Sequence, residues 1–239
     1  MNSVSRNLLS AITGCAALIA AGCSSEPNPA AGQAELAAMN QQLAARVQRL
    51  EDMLAIQKVQ AKYTHLLFTQ DFARIVDECF AEHSPDVSVE FSDSGVYRGL
   101  DHIRALYAAF EETKKIPGFF ILHAVVTPYI EIAADGQSAK AHWLSPGAVG
   151  NANSASWVWG PYYADYVKED GEWRILHTNL AALFRNRYEV SWAKAEDHGT
   201  VRGILPVEPD EPSTIYRPYN ELKAETDIFK NHPDLPAPY

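Results

Sequence analysis

Cysteine is scarce in these 239 residues, and where it falls matters more than its number. Of the three, Cys15 and Cys23 lie near the start, which leaves Cys79 alone in the body of the chain. Within one chain that excludes a disulfide framework and a thiolate metal cluster. Cys79 falls on the apolar face of a predicted helix and reads as a small core residue. Also absent are a glycine-rich phosphate loop, a serine elbow, an HExxH sequence and any histidine pair at ligand spacing on one element. Nucleotide, covalent-nucleophile and metal chemistry are therefore disfavoured, and neither a cofactor nor a metal is expected. Positive charge is in deficit too, with 20 Lys and Arg against 30 Asp and Glu and a formal net charge of −10. Such a chain repels the phosphates of nucleic acid and disfavours adsorption to anionic lipid. A small hydrophobic or aromatic molecule is the more natural partner.

Long apolar runs are missing as well. Residues 8–21, behind Arg6, have the length of a signal-peptide core and are too short to span a membrane. Small residues lead up to Cys23, and Ser24, Ser25 and a Pro/Ala/Gly-rich tether follow it. This pattern resembles the lipobox of bacterial lipoproteins, which implies that Cys23 becomes the lipidated first residue of the mature protein. The resulting expectation is an exported protein, lipid-anchored at a bacterial membrane, facing the periplasm and touching the membrane through its anchor only. A plain secretory signal cut near the same place is the other reading. The expected segments are a lipoprotein signal peptide (1–22), a tether (23–33), an N-terminal helical extension (34–53), the main domain (54–188) and a Pro-rich C-terminal extension (189–239).

From Gln33 to about Phe68 neither Pro nor Gly interrupts a helical pattern. Leu36, Asn40, Leu43, Val47, Leu50 and Leu54 alternate spacings of four and three, the seam of a coiled-coil-like contact. An oligomer contact, a stalk and packing on the domain's own surface are all compatible with it. Ile56, Val59, Tyr63, Leu66 and Leu67 then share one side of the first helix of the fold. Asp71 is placed to cap a second helix over 72–80, and a third runs over about 100–115 until Pro117-Gly118. Two short strands, 86–91 and 96–98, lie between the second and third helices. Residues 119–146 read as a hairpin about Asp135-Gly136. A polar loop (147–155) and a second hairpin follow, pairing 156–168 with 172–184 across Asp170-Gly171. Helices first and a long antiparallel meander afterwards make an α+β domain with helices on one sheet face. The Pro-rich tail still carries Ile204, Tyr216, Tyr219, Phe229 and Tyr239, so it is expected to strap over the domain or a neighbouring subunit.

One polar residue, His123, stands in the first strand of the first hairpin among Ile121, Leu122, Ala124 and Val125. It is either a satisfied core histidine or a pocket residue that exchanges protons near neutrality. An apolar wall would lower its pKa and keep the ring neutral, hence a base. Tyr63 offers a phenolic donor to a substrate oxygen, or simply a helix tyrosine whose hydroxyl reaches water. Aromatic residues crowd the central strands. Alternation puts Trp157, Trp159 and Tyr163 on one face and Tyr162 and Tyr166 on the other. Trp143, Trp159 and Tyr163, with His142 and His177 on neighbouring strands, are candidates to line an aromatic cavity.

The succession of elements resembles the SnoaL-like branch of the nuclear transport factor 2-like superfamily, a cone-shaped α+β fold in which a curved antiparallel sheet wraps helices around a central pocket. The likeness rests on Leu54-Ala55-Ile56 leading to Ala61-Lys62-Tyr63, on Val96-Tyr97-Arg98-Gly99-Leu100, on Leu122-His123 before Ile130-Glu131-Ile132, and on residues 170–175, Asp-Gly-Glu-Trp-Arg-Ile. Scytalone dehydratase, bile-acid 7α-dehydratase and ketosteroid isomerase share that fold. The resemblance implies that Tyr63 and His123 are pocket residues and the catalytic pair. It also places Phe68 and Thr64 where those dehydratases carry an Asp, and about Ala182 where an Arg is expected. That makes the implied pocket more apolar and aromatic, and Phe68 a candidate substrate-binding residue. The implied activity is a cofactor-independent lyase, of dehydratase or C–C lyase type, acting on a hydroxylated aromatic or polycyclic molecule. An isomerase of ketosteroid-isomerase type, a non-catalytic lipoprotein that binds an apolar ligand and an assembly protein built on the long helix are the alternatives. A homo-oligomer, dimer or trimer, is usual for such folds.

Overall fold

The computed structural model describes residues 29–192, 207–215 and 232–238. Cys23, the signal segment and the first part of the tether lie outside the described residues. So do Ile204, Tyr216, Tyr219, Phe229 and Tyr239. The chain forms two units, residues 1–46 and 47–239. Among the described residues of the first, 29–46 are helical and solvent-exposed from Ala30 on. The second unit is the folded domain.

Helix α1 spans Pro29–Phe68 and so starts four residues before Gln33. Proline suits a first helical position, where its missing N–H would have had no partner. The helix stops because Gln70 turns into the left-handed region (φ 58°) and the Asp71 N–H donates back to the Leu66 carbonyl at 2.9 Å. Ile56, Val59, Tyr63, Leu66 and Leu67 are buried, as their spacing requires. Helix α2 covers Phe72–Cys79, with Phe72, Ile75, Val76 and Cys79 inward. Asp71 does not cap it; its carboxylate instead pairs with Arg74 at 3.2 Å, one turn on. Helix α3 covers Leu100–Phe110, buries Ile103, Leu106, Tyr107 and Phe110, and tightens into a 3-10 turn, Glu111–Lys115.

Eight strands form one sheet: β1 (Ser88–Phe91), β2 (Gly95–Arg98), β3 (Phe120–His123), β4 (Val126–Ile132), β5 (Ser138–Asn151), β6 (Ser154–Glu169), β7 (Glu172–Leu180) and β8 (Phe184–Arg187). The order is β2-β1-β7-β6-β5-β3, with β4 also on β5 and β8 also on β6. Three features depart from the sequence reading. The first strand of the first hairpin breaks into β3 and β4, and the register on β5 slips by one residue between Val126 and Tyr129, where Thr127 takes φ 49°. An extra residue of this kind bends the strand and tightens the curl of the sheet. The polar stretch 147–155 is no loop. It is the outer end of β5 and the start of β6, joined by a tight turn in which Asn151 accepts from the Asn153 N–H at 2.8 Å. Finally β1 joins β7 in parallel, so the sheet carries one parallel pair beside a meander, 120–180, that is antiparallel throughout.

The core lies between the helices and the inner sheet face, where Tyr63, Phe80, Tyr107, Tyr162 and Tyr166 are all within about a hundredth of full burial. Residues 207–215 run beside β2. Val96 and Glu211 exchange backbone contacts, Arg98 pairs with the Glu211 carboxylate at 2.8 Å, and Thr214 donates to the buried Glu90. That part of the tail straps its own domain.

A buried carboxylate ties α1 to the β6–β7 hairpin. Asp52 accepts from Lys168 Nζ at 2.7 Å and from Trp173 Nε1 at 2.8 Å. Burial by itself would raise its pKa, but the hydrogen bonds from Lys168 and Trp173 and the Lys168 charge outweigh that and hold it below the usual carboxylate value. Replacing it leaves a half-buried ammonium and an indole N–H without an acceptor. Asp52→Ala is expected to cost about 3 kcal/mol in urea denaturation. A loss under about 1 kcal/mol would show that water replaces the carboxylate at no penalty.

Candidate active site

Inside the sheet's curl, elements from both layers leave a cavity with about 50 Å³ open to the centre of a water-sized sphere. One buried water needs about 10–15 Å³ by the same measure, so there is space for a small organic group. Phe91, Phe110, Phe119, Ile121 and Leu180 make its walls apolar. Four polar side chains reach it: Tyr63 from α1, His123 from β3, Tyr162 from β6 and Arg185 from β8.

His123 is the last residue of β3 and faces Gly147 on β5. A Cβ at position 147 would lie 2.7 Å from His123 Nδ1, 2.8 Å from the Leu122 carbonyl and 2.9 Å from that of Val158. Only glycine leaves the imidazole its place. Nδ1 is turned to that backbone and has no hydrogen-bond partner among the described residues, so the edge carrying Nε2 is left for the cavity. Burial, reinforced by the Arg185 guanidinium, brings the His123 pKa down to about 3. At neutral pH the ring is uncharged.

The phenols form a cluster. The Tyr63 and Tyr107 hydroxyls are 2.9 Å apart and share a hydrogen bond. The Tyr63 and Tyr162 rings meet edge to face at 6.2 Å, and Tyr162 meets His123 in the same way at 6.2 Å. Burial, then the neighbouring phenols, pushes Tyr63 well above the ordinary tyrosine value. Tyr162 moves the same way through burial and Tyr63. Both are neutral donors at any physiological pH. Arg185 is held by Asp93, Nε to Oδ2 at 2.7 Å, in a pair whose side chains are about nine-tenths buried. The cavity thus offers a neutral imidazole, neutral phenols and one fixed positive charge. Cys79 is buried beside these elements, and burial pushes its thiol up to about 12, so it is no thiolate nucleophile.

The structure brings His123 and Tyr63 together and leaves the other sequence candidates elsewhere. Phe68 is 49% exposed, because it follows Leu67 and is turned by about 100° to solvent. Trp143 is buried, but its indole N–H donates to the Tyr166 hydroxyl, which donates to Gln60, a brace between sheet and α1. Trp159 stacks on Phe184 at 6.1 Å on the outer face. Tyr163 and His142 are also outside, rings 4.6 Å apart, and His177 bonds Ser88 Oγ at 2.7 Å. These last three line a separate outer-face cavity with Glu90. The reason is period two: Val158 and Tyr162 point inward, so Trp159 and Tyr163 point out. Sequence reasoning missed Arg185. The chain leaves the sheet at 181–183 and re-enters as β8, where Arg185 pairs with inward-facing Val158. The arginine expected near Ala182 is thus supplied three residues later.

His123 makes acid stability testable. Its folded pKa lies below the unfolded value of about 6.5, so the unfolded chain takes up the proton first. Stability from burying the neutral ring is complete above about pH 6.5 and is lost as pH falls towards 3. Denaturation at pH 7 and pH 4.5 is expected to show that the native chain loses about 2–3 kcal/mol more than His123→Phe between the two. Equal losses would mean that the ring already carries its proton in the fold.

The SnoaL-like domain family model matches residues 48–179, more than half of the chain. No curated protein matches it by sequence. Among solved structures, a candidate scytalone dehydratase from Novosphingobium aromaticivorans is 15% identical with a TM-score of 0.50, over 69% of this chain and 97% of that one. A type 2 hexachlorocyclohexane dehydrochlorinase (LinA) is 16% identical with a TM-score of 0.50, over 66% of this chain and 99% of that one. With the helices packed inside one curled sheet and the family match covering that region, the chain belongs to the SnoaL-like family and has the cone-shaped nuclear transport factor 2-like fold.

Proposed function

We propose that this protein is a cofactor-independent lyase acting on a hydroxylated aromatic or polycyclic small molecule. The observation that carries the reading is the meeting of an uncharged, unpartnered imidazole with neutral phenols in one buried apolar cavity. His123 removes a proton from carbon, and the C–O bond on the neighbouring carbon breaks. The departing hydroxyl takes that proton from the His123 imidazolium and leaves as water, while Tyr63 hydrogen-bonds the oxygen as it gains charge. Loss of formaldehyde from a hydroxymethyl group would use the pair differently: His123 takes the hydroxyl proton, the C–C bond breaks as the formaldehyde C=O forms, and the carbon left behind takes the proton. Isomerisation takes a proton from one carbon and returns it to another. Two proteins of this fold are named for eliminations, a dehydratase and a dehydrochlorinase, so the architecture accommodates such chemistry. A bent sheet lined with phenylalanine suits a flat ring.

One observation favours a second reading, a binding protein without turnover. An imidazole held at about 3 is a weak base, and Asp93, the carboxylate that bonds the cavity's Arg185, is taken up by that pair. Incubation with a panel of hydroxylated aromatics and sterols, followed by mass spectrometry, separates the two. The lyase reading expects a product lighter by water or formaldehyde, with the rate falling about 10²–10⁴-fold in His123→Ala and about 10²-fold in Tyr63→Phe. A ligand retained unchanged by all three proteins would establish binding alone.

We further propose that the protein is exported and lipid-anchored through Cys23, with the domain in the periplasm. The sequence around Cys23 supports this. No helix among the described residues is long and apolar enough to cross a membrane. Cys23→Ala is expected to move the protein from the membrane to the soluble fraction. An unchanged distribution would reject the anchor.

A further inference from the structure

We infer that α1 pairs with α1 of a second copy of this chain as a parallel, in-register, two-stranded coiled coil over residues 36–54. The surface is apolar and bare: Leu36, Leu43, Val47, Leu50 and Leu54 are 44–64% exposed. At about 100° per residue, Val47, Leu50 and Leu54 lie roughly opposite Asp52, Ile56 and Val59, the face buried in the domain. The domain that α1 packs against therefore leaves Val47, Leu50 and Leu54 uncovered.

The residue types along the stripe specify its occupant. With Leu36, Leu43 and Leu50 at d, the a positions are Asn40, Val47 and Leu54. Leucine at every d with a β-branched residue at a favours two strands. A single asparagine at a fixes register and oligomer state, because it is satisfied only by the same asparagine across the seam. That pairing exists only when the two helices run parallel and in register. Charge agrees: Arg46 falls at g and Glu51 at the following e, both exposed. In a parallel pair g meets e of the partner, so Arg46 faces Glu51 twice. An antiparallel pair would set g against g and bring the two Arg46 side chains together. The stripe ends at Leu54, since the next heptad places Gln57 and Ala61 at d and a while Ile56 and Val59 turn into the domain. A helical partner of other sequence would satisfy the leucines but leave Asn40 buried without an acceptor.

The chain lends itself to crosslinking, since its one cysteine among the described residues is buried Cys79. The full-length protein is made with Leu36→Cys, Leu50→Cys or Ala38→Cys, the last on the helix side away from the seam. Each is oxidised mildly and run without reductant beside the unsubstituted chain. The parallel coil expects disulfide-linked dimers from Leu36→Cys alone and from Leu50→Cys alone, at least tenfold above Ala38→Cys and above the unsubstituted chain. Dimers only from a mixture of Leu36→Cys with an added Leu54→Cys variant, positions that an antiparallel pair sets opposite each other because a there meets d, would mean an antiparallel pair and overturn the inference. So would equal yields at all three positions, capture of a different protein, or no dimer. A second arm uses charge. Arg46→Glu and Glu51→Arg are each expected to lower the Leu50→Cys dimer yield severalfold, and the double exchange is expected to restore it. Singles without effect, or a double variant that stays weak while circular dichroism shows the helix intact, would remove the g–e pairing and with it the parallel assignment.

Discussion

Everything in the cavity depends on the alternation of one strand. β6 is 16 residues long and pairs with β5, β7 and β8, so its pleat decides which side chains of four strands face the helices. Val158, Tyr162 and Tyr166 point inward, and their cross-strand partners inherit that direction. Arg185 enters the cavity because it stands opposite Val158. The glycine at 147 also pairs with Val158, and that glycine is what admits the ring of His123. A slip of one residue along β6 would exchange the inner phenols for Trp157, Trp159 and Tyr163 and rebuild the site with different chemistry.

Within that frame, desolvation controls reactivity. Taking His123 out of water and placing a guanidinium nearby makes protonation unfavourable. A base so depressed works only when proton uptake coincides with negative charge developing beside it. The phenols and Arg185 are placed for that, since both stabilise an oxyanion. Asp93 keeps Arg185 oriented and tempers the field that the guanidinium exerts. The same low polarity discourages water from entering the cavity.

The sequence carried the fold well because period and turn chemistry are local. The helices, both Asp-Gly turns and the apolar side of α1 follow from spacing alone. Tyr63 and His123 were identifiable as a polar residue on an apolar helix face and a lone polar residue in an apolar strand. The outer residues were misplaced because choosing a strand face needs one anchoring contact, and the aromatic crowding at 157–166 is dense on both faces. Trp159, Tyr163 and His142 have the composition of pocket residues and the parity of surface ones. Arg185 was out of reach for a different reason. The irregular residues 181–183 change the count, so the parity of β8 is set by hydrogen bonds to β6 such as Leu183 N–H to the Trp159 carbonyl at 2.7 Å. Parallel pairing of β1 with β7 joins residues about ninety apart, which no local pattern encodes.

The polar groups on the two sheet faces divide by charge in a way that follows from burial. Inside, phenols and a neutral imidazole do the polar work, and the charges that enter come as a bonded pair. Outside, Glu90 is just as buried, and the tail surrounds it with donors: the Thr214 N–H at 2.7 Å and the hydroxyls of Ser213 and Thr214, each at 2.8 Å. A carboxylate in the inner cavity would have no such donors, and it would be drawn to Arg185 in competition with Asp93. Positions 64 and 68, where the resemblance placed acids, are outside that wall: Phe68 is turned to solvent, and the Thr64 hydroxyl donates to the Ala61 carbonyl at 3.1 Å. Under the proposed function the ligand would bring its own oxygen, and the neutral phenols and imidazole around the cavity would supply the donors and the proton acceptor.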